Sequence, residues 1–329
     1  MSSDHEWDVL VVGGANTDFL VHGPRLPRPG ETIKGTWFSQ DAGGKGVNQA
    51  IAAARLGSRV CLVARVGAER RGEEVLAALA TEGVDAHFVI RDEYEQTGVA
   101  LIQVGKGGEK QMLTYPGANA HLSVADVRAA ADAFERARVV LMQLEVPLEP
   151  VLQAVELGRR AGAIVILDPG PATPLPDKLY WQLDVIRPDA KEASTLTGIE
   201  VRDRGSAVRA AEFFITQGVK GTVIQAGDEG NLVVWPGGEL WLPKIPVEGV
   251  DAVGAGDAFT AGLAVQFAAG RTLAEAGPFA NAAAALATTV RGARASLPRR
   301  AAVEEMLATS PQATGDPWVR MRVERGEAA

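Results

Sequence analysis

Short β-branched apolar runs alternate along this chain with alanine- and leucine-rich stretches of helical periodicity. That is the pattern of a largely parallel sheet covered by helices, an α/β class. Strands are predicted over residues 8–12, 59–63, 139–143, 164–168, 185–187 and 222–225, and helices over 46–56, 73–82, 150–161, 190–197, 205–217 and 257–269. Leu76, Leu79 and Ala80 are expected on one helical face, and glycines at 57, 83, 162, 198 and 218 punctuate the joins. Two segments break the alternation. Residues 21–40 and 96–115 lack helical periodicity and read as extended, the second as a hairpin of 99–104 against 110–115. They can join as a small sheet over the main domain, serving either as a lid or as a decorative edge. Residues 1–310 then form one domain, with 311–329 a weakly ordered extension, and no internal repeat is found.

Composition narrows the function classes. A chain of 329 residues with 47% hydrophobic and 22% charged positions is globular rather than disordered. A net charge of -8 argues against nucleic acid as a partner, but a few local N–H groups can still hold a small anion. The single cysteine, Cys61, lies in the apolar run Val60-Cys61-Leu62-Val63 and reads as a core thiol; no internal disulfide or cysteine metal cluster is available. The start is polar and acidic, without a signal-peptide core, and no apolar run reaches the roughly 18 residues that span a bilayer. A cytoplasmic protein without a membrane partner is expected.

The most chemically informative stretch is 251–259, where Gly254 and Gly256 flank Ala255 and lead into Asp257. Glycines there permit a tight turn that directs several N–H groups to one spot, and the following helix adds the positive end of its dipole. An anion hole beside a carboxylate base is what transfer of a phosphoryl group to a hydroxyl requires. The first strand ends in Gly13-Gly14-Ala15-Asn16-Thr17-Asp18, which lacks the third glycine of a dinucleotide fingerprint. Asn16 and Asp18, two apart in an extended segment, share a side and suit adjacent hydroxyls, although an Asx turn closing the strand explains them too. Gly43-Gly44-Lys45-Gly46-Val47-Asn48 lets a ligand approach the backbone closely and puts Asn48 in a first helical turn. It is not a Walker A loop, which needs Ser or Thr after the lysine, and Lys45 also reads as a solvated charge. Glu145, Asp168 and Asp189, with Glu192 one turn later, stand at carboxyl ends of strands, where open α/β sheets bind ligands. Singly, each also reads as a cap or a surface acid.

Residues 43–56 and 251–259 resemble the two signature motifs of the ribokinase-like (PfkB) carbohydrate kinases. The likeness runs from about Val9 to Pro298 in family order and spacing, through Pro29-Gly30-Glu31-Thr32 and residues 97–102, 117–120, 142–145 and 196–199. The resemblance implies a three-layer sandwich with a mainly parallel central sheet and a small β-sheet lid from segments 19–41 and 96–116. It implies that Asn16, Asp18, Gly44, Lys45, Gly46, Asn48 and Glu145 hold sugar hydroxyls. Asp257 would be the base, with Gly254, Ala255 and Gly256 the anion hole. Asp189, Gln225, Gly227, Asp228, Gly230, Gly256 and Asn281 would face the nucleotide, and Glu192 would hold Mg²⁺ through water. Asp251, Val253, Ala287, Val290, Gly292 and Ser296 would hold a monovalent cation, K⁺.

The implied reaction carries the γ-phosphoryl of ATP to a sugar's primary hydroxyl, with O5 of D-ribose the preferred acceptor. A nucleoside or a sugar acid such as 2-keto-3-deoxygluconate is the alternative acceptor; Phe19, Trp37 and Phe38 are candidates for a base slot. From another class, a non-catalytic sugar- or nucleotide-binding protein is the alternative. Extended lid strands leave edges through which a homodimer can pair. The chain departs from the family pattern at Asp189, where Asn is usual, at Asp168, where Asn is frequent, and in the nucleotide loop, which carries Asp228 and Glu229. A carboxylate about 4 Å from a phosphate oxygen costs on the order of 4 kcal/mol at intermediate dielectric unless Mg²⁺ or water intervenes.

Overall fold

The computed structural model describes residues 5–227 and 229–310. Its strands are β1 (Trp7–Val12), β2 (Asn16–His22), β3 (Trp37–Gly43), β4 (Val60–Gly67), β5 (Val89–Asp92), β6 (Gly98–Val104), β7 (Lys110–Tyr115), β8 (Ala137–Met142), β9 (Ile164–Leu167), β10 (Val185–Ile186), β11 (Thr222–Gln225), β12 (Gly230–Trp235) and β13 (Gly238–Pro243). Nine of them form the main sheet in the order β13-β12-β11-β10-β9-β8-β1-β4-β5. Pairing is parallel from β5 across to β11, and β12 and β13 extend the sheet as an antiparallel hairpin.

Both faces of this sheet are covered, which is why its strands read as continuous apolar runs. Along β1 the side chains alternate between two cores: Val9 and Val11 join one, Leu10 and Val12 the other. The first core is built with the helices Lys45–Arg55, Arg70–Thr81, Ala255–Ala268 and Leu273–Ala287, through residues such as Ile51, Leu79, Phe259 and Phe279. The second takes Val155 from Leu148–Ala161 and Phe214 from Arg204–Thr216. The result is the expected three-layer sandwich. Cys61 lies fully buried in the second core, and burial pushes its thiol up to about 12.

The six predicted strands and six predicted helices are present with ends shifted by a few residues. Ala80 is a correction: it is exposed, because the buried stripe of its helix runs through Val75, Ala78 and Leu79. The two extended segments form a second sheet, β3-β2-β6-β7, with β2 parallel to β6 and antiparallel to β3. Its inward positions Leu20, Ala100, Ile102 and Val104 pack with Val253 and Ala293 beside the start of the Ala255–Ala268 helix. The small sheet thus covers the carboxyl edge of the main one, as a lid does. Residues 23–36 between β2 and β3 are not strand. Among the described residues no helix is long and apolar enough to cross a membrane. The extension expected over 311–329 lies outside the described residues.

Candidate active site

The helix Ala255–Ala268 opens on Gly254, which adopts φ 86° and offers no side-chain cap to the first-turn N–H groups. A Cβ at Gly254 would stand 2.9 Å from the Ala293 carbonyl oxygen, so this turn accepts only glycine. Ala255 N–H donates weakly to Ala252 O at 3.4 Å, while the first-turn N–H groups of Gly256 and Asp257 have no cap, and all three residues line an open cavity where the motif placed an anion hole.

Asp257 sits in that first turn, buried, with its carboxylate held on both oxygens. Oδ1 accepts from Gln49 Nε2 at 3.0 Å and Oδ2 from Asn48 Nδ2 at 3.0 Å. Burial raises its proton affinity above the ordinary carboxylate range, against the lowering effect of Lys45 and with the help of Asp168. A base needs this combination: fixed direction and enough basicity to take a hydroxyl proton.

Beneath Asp257 lies a polar network that no local motif reveals. Gln49 Nε2 also donates to Asp168 Oδ2 at 2.8 Å, and Gln49 Oε1 accepts from Gln143 at 2.6 Å. Lys45 Nζ donates to both oxygens of Asp168, at 3.0 and 3.2 Å, and stands 3.9 Å from Asp257. Asp168 is fully buried and does not line the cavity, so it is neither cap nor surface acid but the counter-charge of Lys45. The lysine is not a solvated charge: burial pulls it down, yet Asp168 and Asp257 raise it above its usual value.

Asn16, Asp18, Gly44, Lys45, Asn48 and Glu145 all line the cavity, of about 850 Å³, that also receives the Gly254–Asp257 turn. Asn16 and Asp18 lie on the inward face of β2, as their spacing implied, rather than in a closing turn. Asn16 Oδ1 accepts from Asn119 Nδ2 at 2.7 Å, and Asn119 is itself pinned by the Ala15 backbone; this leaves the Asn16 amide nitrogen for a ligand. Asp18 Oδ1 and Asn48 Oδ1 are buried without partners among the described residues, two acceptors placed for hydroxyl donors. Burial, with Glu145 and Asp257 nearby, pushes Asp18 up to about 8. Burial likewise raises Glu145 to about 7, opposed by Lys45, whose backbone N–H donates to Glu145 Oε2 at 2.7 Å. Gly46 is a correction. It does not line the cavity, because it packs on the Gly13-Gly14 backbone so closely that a Cβ would come within 2.7 Å of Gly14 O.

None of Phe19, Trp37 and Phe38 lines the cavity: Trp37 packs edge-on against His22, and Phe38 points to solvent. The expected base slot is absent from these positions.

Asp189, Glu192, Gln225, Gly227, Gly230 and Asn281 line the same cavity. Asp189 and Glu192 are a reciprocal capping box on the helix Ala190–Thr197, each carboxylate accepting the other's N–H at 2.7 and 2.8 Å. Burial, with Asp168 nearby, raises Glu192 to about 7. Glu229 does not face a phosphate: it is exposed, lies outside the cavity lining and accepts from the Arg204 backbone at 3.3 Å. Asp228 lies outside the described residues. Arg187, Asn119 and Asn231 also line the cavity and were not foreseen.

Of the proposed cation positions, Asp251 accepts from the N–H groups of Val253 at 2.9 Å and Gly292 at 3.1 Å, while Ser296 Oγ donates to Val253 O at 3.3 Å. Those four form one cluster, joined by His22, whose Nε2 stands 3.4 Å from Asp251 Oδ2. Ala287 is buried and Val290 half-exposed, and among the described residues no hydrogen bond ties either to Asp251. No group of three or more His, Cys, Asp or Glu side chains suited to a metal is found among the described residues.

Residues 7–300 match the family described as pfkB family carbohydrate kinase. The chain is 37% identical over 299 residues to a ribokinase of Haemophilus influenzae, covering 91% of this chain and 98% of that protein. It is 32% identical over 292 residues to a deoxyribokinase of Salmonella typhi, covering 88% and 95%. Its fold superimposes on Arabidopsis thaliana ribokinase complexed with ribose and ATP with a TM-score of 0.82 at 33% identity, over 92% of this chain and 99% of that one. Matched over most of its length by the family model and by these relatives, this chain belongs to the pfkB family of carbohydrate kinases.

Proposed function

We propose that the protein transfers the γ-phosphoryl of ATP to O5 of D-ribose, forming ribose 5-phosphate and ADP. The observation that carries this reading is the position of Asp257, fixed by Asn48 and Gln49 in the turn that forms the anion hole and in one cavity with Asn16 and Asp18. The sugar's secondary hydroxyls would donate to Asp18 and Asn48, whose buried acceptors lack partners, and accept from the Asn16 amide. Its primary hydroxyl would then meet Asp257. As O5 forms its bond to the γ-phosphorus, the hydroxyl proton passes to Asp257. The bond between that phosphorus and the bridging oxygen breaks, and ADP leaves with the electron pair. The N–H groups of Ala255, Gly256 and Asp257 stabilise charge on the phosphoryl oxygens in flight. The inner lid residues Ala100 and Ile102 exclude water from this step.

The nucleotide would extend past Gln225, Gly227, Gly230 and Asn281. Glu192 keeps Oε1 outside its cap bond and fits a water-mediated hold on Mg²⁺, which when bound neutralises phosphate charge. The buried Asp251 cluster fits K⁺, with Ala287 and Val290 contributing backbone carbonyls; replacing K⁺ by a bulky organic cation would then lower turnover. A cytoplasmic setting supplies ATP. The exposed β7, with Leu113 outward, is the edge through which a homodimer would pair.

The test is ADP release over a panel of D-ribose, 2-deoxyribose, a nucleoside and 2-keto-3-deoxygluconate. Preferential release with ribose is expected. Release favouring 2-deoxyribose, or thermal stabilisation by sugars with no ADP from any of them, would reject ribose phosphorylation.

A further inference from the structure

Arg187 closes β10 and projects into the cavity, yet it is only 4% exposed. Its Nε is buried without a hydrogen-bond partner, and no ion pair joins the guanidinium to any described carboxylate. The contact that identifies its orientation is the Phe259 ring, whose centroid lies 5.1 Å from Cζ. Arginine stays protonated in proteins, and a cation this far buried without a counter-charge is unfavourable in the empty protein. The ring face offsets part of this. The remainder calls for an anion.

The place for that anion is specified by Gly256. A Cβ built on this glycine would lie 3.0 Å from Arg187 Nη1, so the guanidinium rests directly against the turn whose N–H groups form the anion hole. Nearby carboxylates are otherwise engaged: Asp189 caps its own helix, Asp257 takes Asn48 and Gln49, and Asp168 takes Lys45. An oxyanion seated on Ala255, Gly256 and Asp257 would therefore meet an arginine already desolvated and stacked in place.

We propose that Arg187 is a phosphate clamp: it donates from its guanidinium to oxygens of the nucleotide's terminal phosphate and stabilises the phosphoryl group during transfer. This rests on the kinase reading above and adds to it a fixed cation built into the sheet. A planar fork suits paired phosphoryl oxygens better than an ammonium would. Charge on those oxygens is what phosphoryl transfer requires to be neutralised. The clamp also bears on the acidic departure at Asp189: with a guanidinium in the cavity, the field at the terminal phosphate is not set by Asp189 and Glu192 alone.

The experiment compares full-length Arg187→Met and Arg187→Lys with the unmodified protein. Turnover and sugar KM are read from ADP release, ATP and AMP affinity from calorimetry, and apo stability from thermal melting. Arg187→Met is expected to lower kcat by about 10²–10³-fold, as loss of an oxyanion donor does. ATP affinity should fall about tenfold or more, as for loss of a hydrogen bond to a charged group, with AMP affinity and sugar KM unchanged. Arg187→Lys should recover part of kcat. The apo melting temperature should not fall, because the substitution removes an uncompensated buried charge. Unchanged kcat with an unchanged ATP-to-AMP affinity ratio would overturn the proposal. A lower apo melting temperature with that ratio intact would assign Arg187 to packing on Phe259 instead. If the unmodified protein phosphorylates no sugar while the ratio still falls on substitution, the clamp stands and the kinase reading fails.

Discussion

Gln49 donates to Asp257 Oδ1 at 3.0 Å although 208 positions separate the two residues, and with the Asn48 bond to Oδ2 it ties the first signature motif to the second. Without it, the carboxylate would be held on one oxygen only, and the hydroxyl proton would meet it at a poorer angle. Asp257→Asn keeps the shape and the burial but removes the base; the variant is expected to melt near the parent temperature while kcat falls by about 10²–10⁴-fold. Gln49→Met acts one step back. Gln49's hydrogen bond lowers the proton affinity of Asp257, so its loss should move the acidic limb of the kcat–pH profile to higher pH while sugar KM holds. A profile that falls without moving would deny Gln49 this positioning role.

Lys45 and Asp168 form a pair in which the acid is fully buried and the base is partly buried, its side chain 24% exposed. Breaking such a pair from one side strands a charge. Lys45→Met is expected to destabilise the protein by about 3–5 kcal/mol in urea unfolding. Adding Asp168→Asn removes the stranded charge and should restore most of that loss, with an interaction energy measurable by a double-mutant cycle. Additive effects would mean that Lys45 is held by the wider carboxylate group rather than by Asp168.

What was legible in the sequence follows the distance over which each feature acts. The apolar run of β1 and the glycine turn at Gly254 are local patterns, and both appear where the pattern put them. The pairing of Asn16 with Asp18 needs only the period of a strand. Asn119, Gln49 and Arg187 act through partners 72 to 208 positions away, and no spacing rule reaches that far. Gly46 looked like a ligand contact because close approach to a ligand and close approach to the Gly13-Gly14 backbone place the same demand on a residue. Other elements carried signals that went unused. Trp235-Pro236-Gly237-Gly238 marks the turn between β12 and β13, and the Thr272–Glu275 capping box opens the helix Leu273–Ala287.

Asp18, near 8, and Glu145, near 7, bind protons in the folded protein that they release in the unfolded chain above about pH 4. Between those values the native state holds the extra protons, so stability falls as pH rises. The sugar-free protein is therefore expected to lose melting temperature from pH 5 to pH 8. Asp18→Asn should flatten that slope, raise apo stability at pH 8 and abolish sugar binding, the signature of an acid kept for a ligand rather than for the fold. A melting temperature that climbs across this window in the parent protein would show that these two carboxylates are ionised when folded.

Gly254 concentrates two demands in one residue: φ of 86°, and a Cβ position only 2.9 Å from the Ala293 carbonyl oxygen. Alanine pays roughly 1–2 kcal/mol for the left-handed backbone alone, and the contact with Ala293 adds to it. Relief requires the turn to move, and the turn carries the N–H groups of Ala255 and Gly256. Gly254→Ala should accordingly lower unfolding free energy by about 1–3 kcal/mol and turnover by about 10²-fold or more, the second effect exceeding what the first can explain. Sugar affinity measured without nucleotide should stay near the parent value, because Asn16, Asp18 and Asn48 are anchored on other elements. Equal losses of sugar binding and turnover would mean instead that the turn and the sugar subsite collapse together.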